Sequence, residues 1–441
     1  MAKGYAQKEG VDYTETFAPV TRFSSIRTLI ALAAYYDMEI HQMDVKTAFL
    51  HGDLDVDIYM NQPDGFVVKG AEDLVCKLKK SLYGLKQAGR AWYQKIDTAL
   101  LNMRFDRLET DHCVYVLRQK QLVVFIALYV DDLLLLSNDL KGLTIIKQDL
   151  SKLFAMKDLG EAHYVLGVEI ERQRDIRTIH ISQTQYIKTI VARYGLADSK
   201  PAKTPLNPGA LLTKADSPTT AAEIEEMKRI PYQSAVGAIS FAMQGTRPDI
   251  AFAINKLSQY SSNPGPNHWM ALKTLLRYLS GTQNYKLTYN AKGDSTLFGY
   301  CDSDYASCVD SRRSVTGYVF FLCGGAISWQ SKKQPTVASS SVEAEYMACA
   351  HATKEAIWWR TLLSNLGKKI PNATTIYTDS QGAIALAKNP THHPKTKHID
   401  VQYHFIRETI AKKVIHLDYM PTTDMVADVL TKSLERVKHE K

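Results

Sequence analysis

Between Leu122 and Leu136 every position is apolar or aromatic except Asp131 and Asp132, which stand side by side in the run. Neighbouring carboxylates repel, and burying even a neutral polar group without a partner costs ~2–7 kcal/mol. The pattern predicts strand, Asp-Asp turn, strand. The acids are then either lifted into solvent at a hairpin tip or gathered round a divalent cation, which takes hard oxygen ligands. Elsewhere Ile26, Leu29, Ile30, Ala33 and Ala34 recur at helical spacing and predict a helix over 14–36. A short strand follows over 39–45, closing on Asp44. A helix is expected around 88–101, with Trp92, Ile96 and Ala99 on one face, and another near 142–154. A hairpin joins 164–170 to 178–182 across a polar turn.

The pattern changes at residues 200–226, where Pro201, Pro205, Pro208 and Pro218 mark a linker or an extended crossing segment. A helical block over 232–279 is broken at Pro248 and again at Asn263-Pro-Gly-Pro266. From about residue 285 a new domain is expected. Its strands fall at 296–301, 315–322, 325–331, 335–338, 374–378 and 413–419, with helices at 341–366, 380–388, 398–411 and 424–434. Three antiparallel strands followed by alternating helix and strand describe a mixed α/β layout. Three segments result: 1–199, 200–284 and 285–441.

Composition narrows the class without naming it. The 441 residues are 45% hydrophobic and 23% charged, as in a well-cored soluble protein, and the net charge of +8 suits a polyanionic partner. Cys76, Cys113, Cys301, Cys308, Cys323 and Cys349 form no CxxC, which argues against a zinc ribbon and a secreted disulfide framework. No apolar stretch follows Met1, and the longest apolar run is split by two aspartates. An intracellular protein, cytoplasmic or nuclear, without a membrane span is expected.

Two sets of acids carry the candidate chemistry. Asp44, at the end of its strand, completes three carboxylates with Asp131 and Asp132 that two neighbouring strands can bring together. Two-metal phosphoryl transfer needs such a set, with cations about 3.5–4 Å apart. A strand-end cap is the plain alternative for Asp44. In the C-terminal segment Asp302 ends a strand, Glu343 and Glu345 open a helix, Asp379 ends a strand at a helix start, and Asp428 lies on the expected last helix. These acids can converge on one edge of a mixed sheet. Ser340-Ser-Val-Glu343 has capping-box spacing, so Glu343 is expected to be structural. Glu345 aligns with Ala348, Cys349 and Ala352 and is expected at the metal. Asp304, two residues beyond Asp302, shares its face if the strand continues. Asp379 also has the position of a helix cap.

Tyr129-Val-Asp-Asp132 resembles the signature of reverse transcriptases. Asp44-Val-Lys-Thr-Ala-Phe-Leu-His-Gly-Asp-Leu54 and Lys80-Ser-Leu-Tyr-Gly-Leu-Lys-Gln-Ala88 narrow the resemblance to copia-type LTR retrotransposon Pol polyproteins. It extends over nearly the whole chain. It implies an α+β right-hand polymerase with palm and fingers, a helical thumb or connection, and an RNase H-like mixed α/β domain. The implied activities are RNA-directed DNA synthesis and hydrolysis of the RNA strand of RNA–DNA hybrids, with RNA template, DNA primer and dNTPs as partners.

The resemblance also implies roles for single residues. Asp44, Asp131 and Asp132 would hold two Mg²⁺ for synthesis, and Asp302, Glu345, Asp379 and Asp428 two more for cleavage, with Mn²⁺ as a substitute. Phe49 matches a steric gate against the ribose 2′-hydroxyl. Gly84, Lys86 and Gln87 match the nucleotide and template pocket, and Lys3 a basic residue of the fingers. Arg247, His268 and Lys273 of the connecting region are candidates for phosphate contact, with ordinary salt bridges as the alternative. His392, His393 and His398 are expected on the surface or against the hybrid rather than on metal. The chain begins inside the fingers motif, without an upstream arginine that would clamp the triphosphate. A truncated, catalytically impaired relic that binds nucleic acid without turnover is therefore the alternative expectation.

Overall fold

The structure is a computed structural model and describes residues 2–292, 295–388 and 400–441. His392, His393 and His398 lie outside the described residues. By compactness the chain falls into two units, residues up to Leu29 with Tyr36–Val165, and Ile30–Tyr35 with Leu166–Lys441.

In the first unit the apolar run becomes two strands, Leu122–Tyr129 and Asp132–Ser137, at the centre of a six-stranded antiparallel sheet. Asp132–Ser137 pairs on its other edge with Glu39–Val45, which in turn pairs with Met156–Glu161. Val124, Ile126, Leu128, Leu133 and Leu135 alternate onto one face. They pack there with Trp92, Ile96 and Leu100 of helix Ala88–Asn102 and Leu143, Ile146 and Leu150 of helix Leu140–Leu153. Phe125, Leu134 and Leu136 on the opposite face are buried as well, which is why the run is continuously apolar rather than alternating.

The expected helix over 14–36 begins only at Phe23. Pro19 has no N–H and biases Ala18 towards extended backbone. The helix start is held instead by the buried Asp111 carboxylate, which accepts from the Ser25 hydroxyl at 2.6 Å and the Arg22 N–H at 3.2 Å.

In the second unit Val168–Gln173, Thr178–Ser182 and Leu287–Asn290 pair antiparallel. The proline-rich stretch is the crossing segment rather than a free linker. Leu206 and Leu212 are buried in the core formed by helices Thr184–Arg193, Tyr232–Gly245, Ala251–Ser258 and Pro266–Gly281. It also holds an unanticipated helix, Ala221–Lys228, closed by a Thr220–Glu223 capping box. Arg247 and His268 are structural. Arg247 is 1% exposed and pairs with Asp249 at 2.7 Å, and buried His268 accepts from the Gly265 N–H and stacks on Tyr260.

The last sheet has five strands in the spatial order Gly325–Lys333, Val315–Leu322, Phe298–Asp304, Thr374–Thr378, Ile415–Tyr419. The first three are antiparallel. Thr374–Thr378 and Ile415–Tyr419 run parallel to the central strand. Helix Ser341–Asn365 lays Ala344, Ala348, Cys349 and Ala352 against this sheet, small residues that admit close approach. Residues 335–338 form no strand. The expected final helix over 424–434 is two short 3₁₀ turns, Thr422–Asp424 and Val426–Leu430. Among the described residues no helix is long and apolar enough to cross a membrane.

Candidate functional site

In the first unit the turn between the two apolar strands consists of Val130 and Asp131. Val130 adopts φ +58°, a region that costs a β-branched side chain of order 1–3 kcal/mol and persists only where neighbours hold it. Trp92 supplies the hold, since its indole N–H donates to the Val130 carbonyl at 2.6 Å. Asp132 stands directly opposite Asp44 in the strand register, and the Val45 N–H bonds the Asp131 carbonyl at 2.9 Å. All three acids therefore occupy adjacent backbone positions. Gln42 donates to Asp132 Oδ1 at 2.9 Å, a contact the sequence did not suggest. Burial raises the Asp132 carboxyl above its usual range, against the Gln42 bond and with help from Asp131 and Asp44.

Phe49 lies on the short turn Ala48–His51, half-buried, with its ring 4.7 Å from that of Tyr83. Gly84 follows at φ +100°, in the left-handed region that glycine enters freely. The segment after Met1 packs on this loop, with the Ala2 N–H bonded to the Tyr83 carbonyl at 2.7 Å. Gln87 is buried, and its amide is spent on Gln7 and on the Asp12 carbonyl. Lys86 is exposed and rests on Tyr13, 3.0 Å from its hydroxyl. Lys3 is exposed.

In the second unit Asp302, Glu345 and Asp379 bring one carboxylate oxygen each within 4.8 Å of one another, and among the described residues no other three acids, histidines or cysteines approach so closely. Each acid is delivered by a separate local device. Asp302 is 1% exposed on the central strand, opposite Gly317. Gly317 has no Cβ because one would lie 2.7 Å from Leu430 Cβ and 2.8 Å from Thr431 Cγ2, so the 426–431 turn can lie on the sheet. Glu345 is one turn into its helix. Glu343, by contrast, folds back to the N–H of Ser339 at 2.9 Å and to its hydroxyl, while Ser340 caps the helix. Asp379 is free of capping duty, because Ser380 accepts from the Ala383 N–H at 3.2 Å. Asp304 and Glu343 stay outside the gathered group.

Three carboxylates so close cannot all ionise cheaply. Burial, then the charges of Asp302, Cys349 and Asp379, push the Glu345 carboxyl well above the usual range. Burial raises Asp302 too, against the pull of Lys432 and Thr431. Glu345 Oε1 accepts from the Ser303 N–H at 3.3 Å, whereas the buried Oε2 has no hydrogen-bond partner. An unpartnered buried oxygen on one of three gathered carboxylates fits a divalent cation.

Asp428 stands apart from the three. On the short turn it is 1% exposed, and it is paired with Lys432 at 2.9 Å and Lys438 at 2.8 Å. Lys432 also lies 3.3 Å from Asp302 Oδ2, and the Thr431 hydroxyl donates to the same carboxylate. The sequence reading missed these lysines. The Asp428–Lys432 spacing of four, a usual ion-pair spacing on a helix, was the available signal.

The family model described as reverse transcriptase (RNA-dependent DNA polymerase) matches residues 1–208. The retrovirus-related Pol polyprotein of transposon TNT 1-94 from Nicotiana tabacum is 46% identical over 441 residues, 100% of this chain and 33% of its own length. A transposon Ty5-1 protein of Saccharomyces cerevisiae is 35% identical over 315 residues, 71% of this chain and 100% of its own. Among solved structures, LC11-RNase H1 in complex with an RNA/DNA hybrid is 15% identical with TM-score 0.24, covering 31% of this chain and 94% of its own.

The N-terminal part of the chain is thus of the reverse transcriptase class. The chain as a whole belongs to the family of copia-type retrotransposon Pol polyproteins, and it spans about a third of the length of the curated Pol relatives it matches.

Proposed function

We propose that this chain carries RNA-directed DNA polymerase activity in its N-terminal part and RNase H activity in its C-terminal part. On this reading residues 1–199 form fingers and palm, 200–284 the connection, and 285–441 the nuclease. The observation that carries it is the convergence of Asp302, Glu345 and Asp379, one of which keeps a buried carboxylate oxygen without a hydrogen-bond partner, in a chain whose Asp44, Asp131 and Asp132 also occupy adjacent backbone positions.

Bound at these acids, Mg²⁺ or Mn²⁺ would supply the positive charge that activates a hydroxyl or water and steadies the leaving oxygen. The residues of the chain do the positioning. Asp44, Asp131 and Asp132 present carboxylates at the mouth of the turn held by Trp92. Phe49, braced on Tyr83, would serve as the steric gate against a ribose 2′-hydroxyl. Gly84 would let the backbone approach a base pair, with Gln87 tying the loop to Gln7 and Asp12. Exposed Lys3 and Lys86 would meet the negative charge of dNTP, primer or RNA template. In the C-terminal site Asp302 is grouped with Glu345 and Asp379 and linked through Lys432 to Asp428, and the RNA strand of the hybrid would be cut at these acids.

The test is primer extension on an RNA template, run beside cleavage of an RNA–DNA hybrid, with Asp131→Asn/Asp132→Asn and Asp379→Asn variants. Each variant is expected to lose its own activity and keep the other. Loss of both activities in either variant would break the two-site reading. A second reading, binding of nucleic acid without turnover, is favoured by the two lysines on Asp428; folded protein that binds hybrid but neither extends nor cleaves would select it.

A further inference from the structure

Asp302 and Asp428 are both 1% exposed, and their charges require a cation close by. The chain provides one itself. The Lys432 ammonium lies between them, 2.9 Å from Asp428 Oδ1 and 3.3 Å from Asp302 Oδ2, and Lys438 takes the other Asp428 oxygen at 2.8 Å. At the other two acids of the group the arrangement is the reverse. Glu345 and Asp379 each bring an oxygen within 4.8 Å of an Asp302 oxygen, no lysine is paired with Glu345 or Asp379, and Glu345 Oε2 is left without a donor. Asp302 therefore belongs both to a group whose other two acids have no paired lysine and to a pair already bridged by an ammonium.

We infer that Lys432 is a built-in competitor for one of the two divalent-cation positions, so that cations enter this site in two unequal steps. The inference rests on the proposed role of these acids as metal ligands. The first step uses Asp302, Glu345 and Asp379, of which only Asp302 is paired with Lys432. The second uses Asp302 and Asp428. Mg²⁺ demands oxygen ligands at about 2.0–2.1 Å, so cation and ammonium cannot share the same pair of oxygens. Lys432 must swing out. Its side chain is one-third exposed on a flexible four-carbon stem, which gives it a route to solvent. Lys438 touches Asp428 alone among these acids and is the lesser obstacle.

The test counts bound Mn²⁺ from the paramagnetic signal of the free ion. It uses the full chain carrying Asp131→Asn and Asp132→Asn, so that only the C-terminal acids contribute. Two binding events are expected, the second weaker by about tenfold or more. Lys432→Met should bring them to within about threefold of each other, and Lys432→Arg should preserve the gap. Lys438→Met should narrow it less.

A measurement on chain with Lys432 intact stands beside the variants. Amine acylation read by mass spectrometry should find Lys432 protected until Mn²⁺ reaches the concentration of the second event, and reactive above it. A folded Lys432→Met protein whose second event is unchanged or weaker, or a Lys432 whose acylation ignores Mn²⁺, would overturn the inference. Glu345→Gln separates the two ideas. It should abolish the first event, and if no event responds to it, the reading of these acids as a metal site fails and the competitor role falls with it.

Discussion

Trp92 and Val130 are joined by a single hydrogen bond of 2.6 Å, indole N–H to carbonyl, that ties a helix in the hydrophobic core to the turn carrying Asp131. The bond spans 38 residues and holds a valine at positive φ, so the turn geometry depends on a side chain far away in sequence. Trp92→Phe keeps the aromatic packing and deletes the donor. It should cost about 1–3 kcal/mol in denaturant unfolding. Primer extension should slow several-fold, of the order expected for about 1 kcal/mol of lost positioning, while hybrid cleavage is untouched. Equal loss of both activities would mean that the bond serves the fold and not the turn.

Gly317 offers a matching test in the other unit. Adding a Cβ there presses on Leu430 and Thr431, the residues beside Asp428. Gly317→Ala should destabilise the chain by about 1–3 kcal/mol, as overpacking does, and reduce hybrid cleavage by displacing the turn. Primer extension is the internal control and should stay at the level of the parent chain.

The two glutamates at the start of helix Ser341–Asn365 should separate cleanly. Glu343 accepts from Ser339 and closes the helix start, so Glu343→Ala should lower stability by about 0.5–2 kcal/mol with cleavage retained in the folded fraction. Glu345→Gln removes a carboxyl from a crowded buried group. It should leave stability without added metal unchanged or higher and abolish cleavage. Thermal melting and a hybrid-cleavage assay on the same preparations decide it, and the reverse pairing would exchange the two roles.

Stability should also depend on pH in a way that divalent cations reverse. The Glu345 and Asp302 carboxyls are raised in the folded chain, chiefly by burial. The native state therefore keeps protons that the unfolded chain has released, and unfolding free energy falls as pH rises through the raised values. The contribution is fully present below the ordinary carboxylate range and is gone only once the pH has risen through the raised values. A bound cation takes over from those protons, so the rise in melting temperature on adding Mg²⁺ should grow between about pH 5 and about pH 9. Glu345→Gln should flatten that growth. A Mg²⁺ effect of equal size at every pH would remove these acids as its source.

Local pattern was enough to determine much of this protein. The run from Leu122 to Leu136 reads as two buried strands with an Asp-Asp turn, because periodicity and the cost of burying charge are read residue by residue; the structure moves the turn one residue back, to Val130 and Asp131, and starts the second strand at Asp132. The strand closing on Asp44, the helices expected over 88–101 and 341–366, and the cap role of Glu343 followed from the same short-range rules. The tertiary structure decided what those rules do not contain. The first helix starts nine residues late because a distant Asp111 holds its end, and the Asp428 segment is a tight turn because Gly317 leaves room for it on the sheet. The pairing of Asp428 with Lys432 and Lys438, apart from the other three acids, likewise arose from packing. Charge repulsion and burial act through space, and only the folded chain sets which acids are close enough to share a cation and which have already found one.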